Sequence, residues 1–517
     1  MSGHNPWLVG FVVALAAFME ILDTSIANVA LPHIAGNLGV SNDESTWVLT
    51  TYLVSNAIVL PITGWLAGTI GRKRFFVLCL AAFTGASFLC GLAPGLPVLL
   101  LARVLQGAGG GGLQPMAQAI LADGFPAEQR GLAFSLYGVT AVIAPAIGPT
   151  LGGWITDNYS WRWIFLINLP VGLLTLMLVA RLVNDPPRPA RARAGIRFDY
   201  VGFALLVVGV GALQVLLDRG QEDDWFGSSF ITTLVIVSAV ALTALVIWEW
   251  RQREPIIDVR LFRNVNFASA NLMMFMLGVT LFACVVLLPQ FLQTLLDYPA
   301  KNAGMAISAG GLVLLVQMPL VGKLTSRMQT RYIIAVGWLI LTVALAYSAR
   351  HLDLFISFGW AAWLRVVQVL GLGFLFVPIT VAVYAGMPSE KSNSVAGLIN
   401  FMRNLGSSVG TSLVTTLVAR RAQLHQVHLV TRVAPDNETF QDRVAGLTQQ
   451  LAQAGLTAYE ARRQAYARIY QAVLAQAQTL AYVDTFWLLT AMAAVMFAVS
   501  FLLQRNDPGK SEGPVAA

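Results

Sequence analysis

Two carboxylates stand where carboxylates are expensive. Glu20 and Asp23 lie three residues apart inside the apolar run from Trp7 to Val29, so on a helix they share one face. At 1.5 Å rise per residue they sit roughly 20 and 25 Å along that helix from Trp7, which runs from mid-bilayer toward the outer leaflet of a membrane. Hydrocarbon disfavours the charged form of a carboxyl, the property a proton carrier needs. Residues of opposite sign, Arg103, Arg365 and Arg403, also fall inside apolar runs, and Asn400 and Asn404 share a polar stripe with Arg403. A buried guanidinium donates hydrogen bonds and biases a nearby acid, but it carries no proton away. The chemistry these residues suit is proton binding and solute recognition.

Bond-breaking chemistry has no comparable support. His4, His33, His351, His425 and His428 are expected outside the apolar runs and away from acids. Cys79, Cys90 and Cys284 sit in apolar surroundings with no CxxC pair, as small buried hydrophobes. No metal site and no cofactor is expected. The glycines of Gly107–Gly112 lack the lysine and serine of a phosphate loop, and Gly509-Lys510-Ser511 lacks the upstream glycine. Without a nucleotide site, an ion gradient is the energy source the sequence leaves.

The elements that position these residues follow from composition. Of 517 residues, 56% are hydrophobic and 11% charged, with a mean hydropathy of +0.68. Soluble domains carry about 25% charge, so the bilayer must be the solvent for most of this chain. About fourteen apolar stretches are long enough to span, the first from Trp7 to Val29, which exceeds the core of a signal peptide. Helices are expected, because membrane strands would alternate polar and apolar residues.

With the N-terminus inside, short inner loops collect the basic residues, from Arg72-Lys73-Arg74 through Arg188, Arg191, Arg193 and Arg197 to Lys391. Short outer loops hold Arg162, Arg219, Lys301 and Arg350. This asymmetry orients the chain with both termini cytoplasmic and explains a net charge of +7 without invoking nucleic acid.

An internal repeat organises the spans. Arg103-x-x-Gln106-x-x-Gly109-x-Gly111 recurs as Arg365-x-x-Gln368-x-x-Gly371-x-Gly373, displaced by 262 residues, and the same displacement takes Pro126-x-Glu128 to Pro388-x-Glu390. The reading is an all-α integral membrane protein of fourteen helices. Residues 1–184 form one six-helix bundle and 261–505 a second, parallel to it. Residues 185–198 are a cytoplasmic linker, 199–260 two inserted helices, and 506–517 a cytoplasmic tail. A long outer loop, 420–480, holds a helix over 445–454 and a capping box at Thr457 and Glu460 that opens the helix leading into the last span.

A solute path between the halves places Asn28, Gln114, Gln290, Phe282, Arg365, Asn400 and Arg403 along it. Met273, Phe275, Phe374 and Phe376 are further candidates for an adaptable apolar lining. Pro145, Gly148, Pro149, Gly152 and Gly153 suit a bent, closely packed helix.

These motifs resemble the major facilitator superfamily, in particular its fourteen-helix drug:proton antiporters of the EmrB type. Leu22-Asp23-Thr24-Ser25-Ile26-Ala27-Asn28-Val29-Ala30-Leu31-Pro32 is similar to that group's first-helix signature. Gly64-Trp-Leu-Ala-Gly-Thr-Ile-Gly71-Arg72-Lys73 resembles the loop after the second helix, Arg103-x-x-Gln106-Gly107 the fourth-helix motif, and Gly148-Pro149-x-x-Gly152-Gly153 the antiporter motif of the fifth.

The resemblance implies proton-driven multidrug efflux by alternating access, with antibiotic resistance as its consequence. Asp23 is then the main proton carrier, Glu20 its assistant, and Arg103 the group that tunes release. Gly64, Gly71 and Arg72 take part in gating. It further implies a bacterial inner-membrane location, a periplasmic adaptor and an outer-membrane channel, with the 420–480 loop as a docking element. An exporter of one endogenous substrate, such as a fatty acid or siderophore, is the alternative. Gly68 stands where the loop motif usually has an acid, so a charge pair from that position is not expected.

Overall fold

The computed structural model describes residues 5–183, 199–252, 255–431, 433 and 436–505. The expected linker at 185–198 and tail at 506–517 lie outside them. Among the described residues the secondary structure is helical throughout, without strands. In chain order the first half contains α1 (Pro6–Leu38), α2 (Asn42–Ile70), α3 (Arg72–Leu92), α4 (Leu96–Gly110), α5 (Leu113–Gly124), α6 (Ala127–Asn158), α7 (Trp163–Leu166) and α8 (Asn168–Leu182). Then come α9 (Tyr200–Arg219) and α10 (Ser229–Arg251), which pack on each other. The second half contains α11 (Val265–Leu295), α12 (Ala300–Thr325), α13 (Thr330–His351), α14 (Phe358–Tyr384), α15 (Ser392–Val430), α16 (Glu438–Gln453) and α17 (Ala458–Val499).

Twelve helices are long and apolar enough to cross a bilayer, with α4–α5 and α7–α8 each counted as one. The bent α6, broken by 40° between Glu128–Pro145 and Ile147–Asn158, makes thirteen. The bend falls at Pro145, where a proline removes a backbone donor from the helical ladder. The expected thirteenth span, centred on Gly410, is α15. It is less apolar than the other spans because Asn400, Arg403, Asn404, Ser407, Ser408 and Ser412 interrupt its apolar residues.

The repeat of 262 residues reappears in the helices. Shifted by that amount, Leu96–Gly124 falls on α14, and α1, α2, α3 and α6 fall on α11, α12, α13 and α15. Within each half the first element packs on the matching partner, α1 on α6 and α11 on α15. Between halves, α2 packs on α15 and α6 on α12.

The outer loop is helical too. α16 begins at Glu438, earlier than the sequence suggests, because Asn437 caps it by accepting from the Phe440 amide. Gly455, at φ +98°, turns the chain, and the Thr457–Glu460 capping box starts α17. α16 closes on the first turns of α17 through Leu451, Ala461 and Ala465.

Candidate functional site

Asp23 and Glu20 do share a face of α1, and both are buried. They belong to two adjoining networks. In the first, Arg103 on α4 donates from Nη1 to Asp23 Oδ2 at 2.7 Å, and neither side chain is exposed at all. Gln106, one turn on, donates to Asp23 Oδ1 at 2.9 Å, and Asn168 on α8 donates to the same oxygen at 2.6 Å. Arg103 also donates through Nε to the Val48 carbonyl at 3.0 Å and lies over the Tyr52 ring at 4.3 Å. The Arg103-x-x-Gln106 spacing thus puts two donors on one helix face toward one carboxylate.

The second network runs from Glu20 across the molecule. Glu20 accepts from Tyr52 at 3.0 Å, from Asn56 at 3.1 Å and from Gln114. Gln114 Oε1 in turn accepts from Tyr137 on α6 at 2.8 Å and from Arg403 on α15. Asn404 donates to Asn56 at 3.1 Å, and Asn400 exchanges hydrogen bonds with Gln118. Phe376 completes the surroundings, stacked on Tyr137 with ring centroids 5.8 Å apart and 5.7 Å from the Arg403 guanidinium. A continuous buried chain of polar groups therefore leads from a first-half carboxylate to a second-half arginine.

The sequence reading named Glu20, Asp23, Arg103, Gln114, Asn400 and Arg403, and the structure brings all six into these networks. Asn28 and Phe282 are exposed and join neither. Gln290 is half-buried with Oε1 unpaired, and Arg365 is buried apart from both networks. Met273 is core, and Phe275 and Phe374 are partly buried packing. Tyr52, Asn56, Gln118, Tyr137 and Asn168 escaped the sequence reading. Each is uncharged, and only a buried polar group inside an apolar run could have flagged it.

At Gly148 and Gly152, α6 crosses α1 so closely that a Cβ on Gly148 would collide with Ser25, whose hydroxyl donates to the Pro145 carbonyl. A Cβ on Gly153 would meet only Val29, at 4.0 Å, an ordinary contact, and Pro149 is half-buried in the same helix. Gly64 lies against Ser394 of α15, and Gly71, at φ +104°, ends α2 in a conformation that disfavours side chains.

Gly68 is exposed and pairs with nothing, as its missing side chain requires. The loop is nevertheless tied by charge. Arg72 reaches Asp123 at 2.7 Å and Asn393 of the second half at 2.9 Å, and Ser392 donates to Asp123 at 3.0 Å. Two of the histidines depart from expectation: His425 lies 2.9 Å from Asp484 and His33 lies 3.5 Å from Asp157, whereas His351 and His428 meet backbone carbonyls and His4 lies outside the described residues.

Repeated sets of spanning helices with charged groups buried among them make this a multi-pass membrane protein. The chain belongs to the Major Facilitator Superfamily, whose family model matches residues 13–411, and so is a transporter and not an enzyme. It is 35% identical over 499 residues to the multidrug export protein EmrB of Escherichia coli K12, covering 96% of this chain and 95% of that one. It is 38% identical over 443 residues to the fatty acid resistance protein FarB of Neisseria gonorrhoeae, covering 85% of this chain and 86% of that one. Among solved structures, a XylE double-tryptophan mutant aligns over 98% of this chain and 97% of its own with a TM-score of 0.62. At 12% identity that likeness shows the fold alone.

Proposed function

We propose that this chain is a proton-driven exporter of amphipathic toxic compounds, working by alternating access between two bundles, residues 1–184 and 261–505, with 199–260 inserted. α15 completes the count of fourteen spans, its polar face turned to the other helices. The membrane is the bacterial inner membrane, with both termini cytoplasmic. The helical pair α16–α17 meets a periplasmic adaptor leading to an outer-membrane channel.

The observation that carries this reading is the Asp23–Arg103 pair standing beside the Glu20–Gln114–Arg403 chain. A proton added to Asp23 removes the counter-ion of a fully buried guanidinium, and leaving such a charge unpaired costs about 3–5 kcal/mol. Proton binding at Asp23 therefore favours a rearrangement that gives Arg103 other partners. That linkage is what coupling requires. Glu20 has hydroxyl and amide donors without an ion pair, so it takes up a proton at lower structural cost and assists. Its link through Gln114 to Arg403 carries the change to the second half.

The test is substrate-dependent proton exchange in proteoliposomes, followed with an internal pH dye. Asp23→Asn and Glu20→Gln are each expected to lower exchange at least tenfold while the protein still inserts and binds substrate. Wild-type exchange in Asp23→Asn would sink the assignment. The names of the relatives favour two substrate ranges. Exchange with fatty acids only, among uncouplers, antibiotics and fatty acids, would replace multidrug export with the single-substrate reading.

A further inference from the structure

The two halves are alike in their helices and unlike in their charges. The displacement that carries Arg103 to Arg365 and Gln106 to Gln368 carries Asp23 to Val285 and Glu20 to Phe282. The geometry of the repeat is kept around the arginine. Arg103 reaches the carbonyl of Val48 on α2. The residue 262 further on, Gly310 of α12, lies against Arg365, where a Cβ would stand 3.2 Å from the arginine's Cγ.

The partners are not kept. Arg365 is 4% exposed, and its Nε and Nη1 are buried without a hydrogen-bond partner. Among the described residues it forms no ion pair. Gln368, which donates to Ser348 at 2.9 Å, likewise leaves its buried Oε1 unpaired. One half neutralises its arginine with an aspartate, whereas the other places valine in the corresponding position. A cation held in such surroundings, beside Gly310 and Val369, calls for a negative partner from outside the chain.

We propose that Arg365 recognises the acidic head group of an amphipathic substrate, a carboxylate on an apolar tail, which takes beside Arg365 the place that Asp23 takes beside Arg103. The head group reaches the guanidinium when the halves rearrange, and the tail lies against the apolar residues that replace the carboxylates, Phe282 and Val285. The inference rests on the export reading for its context, but binding alone tests it.

The experiment uses the full chain in phosphatidylcholine nanodiscs, titrated with laurate and with dodecyltrimethylammonium, equal tails with opposite heads. Laurate is expected to bind the wild type. Arg365→Gln should weaken laurate about tenfold or more, the loss expected of a charge-assisted contact, and leave the cation within about twofold. Val285→Asp supplies the missing counter-ion and should weaken laurate as much with the arginine intact. It serves where Arg365→Gln does not fold.

The proposal is overturned by no laurate binding by the wild type, by unchanged laurate affinity in Val285→Asp, or by equal loss of both ligands in Arg365→Gln. Displacement of laurate by phosphatidylglycerol would assign the arginine to a lipid head group instead, and also overturns it. Failure of proton exchange with laurate binding intact would count against the export reading and not against this one.

Discussion

Arg103 and Asp23 show how a charge is kept inside a membrane protein: each is the other's reason for being there. Arg103→Gln strands the aspartate and should destabilise the protein by about 3–5 kcal/mol, whereas adding Asp23→Asn should recover a large part of the loss. Thermal unfolding of the single and double variants in detergent checks this. Equal losses in Arg103→Gln and the double variant would mean the pair is not the source of the cost. The charged members of the site were legible in the sequence because charge is scarce there. Glu20, Asp23 and Arg403 could each be picked out in an apolar run. Their geometry was not legible: no spacing says that Gln114 lies between Glu20 and Arg403, since that depends on how α1, α5 and α15 pack. Nor did it show that Asp123 would supply an acid beside Arg72 where Gly68 offers none, because Asp123 lies some fifty residues away in the chain.

At the scale of elements, helix crossings depend on side chains that are absent. Alanine at Gly148 should cost about 1–3 kcal/mol, because its Cβ meets Ser25 on α1. Alanine at Gly153 meets only Val29, at an ordinary 4.0 Å, and should stay within about 0.5 kcal/mol. Both gain helix propensity, so a difference in thermal midpoint reads the crossing itself. The Gly-Pro run suggested close packing and a bend, and α6 has both. The polar character of α15 was visible as the stripe of Asn400, Arg403 and Asn404. Which helices cover that stripe was not visible: α2, α5 and α11 pack on α15, and Asn56, Gln114 and Gln118 meet its polar residues.

For the molecule as a whole, the two halves touch through α2 and α5 with α15 and through α6 with α12 and α14, and one end holds a cluster of close contacts. There Arg72 meets Asn393, Gly64 meets Ser394, and Gly131 meets Gly322. Arg72→Ala removes the ion pair to Asp123 and the bond to Asn393, so this end should open more often. Labelling of a cysteine placed at Ser394 should rise several-fold, while thermal stability falls by no more than about 1–3 kcal/mol. Unchanged labelling would move the latch to the glycine contacts alone. At the other extreme stands α17. Its 42 residues make a rod of about 63 Å, against about 30 Å of hydrocarbon, and α16 thickens its far end. The embedded portion packs on α13 and α15. A tilt of about 5° there swings the projecting tip by about 3 Å, by simple leverage on the length outside the bilayer. A rod of that length is a lever: a small motion of its embedded end is a larger displacement at the tip, and a push on the tip travels inward by the same arm.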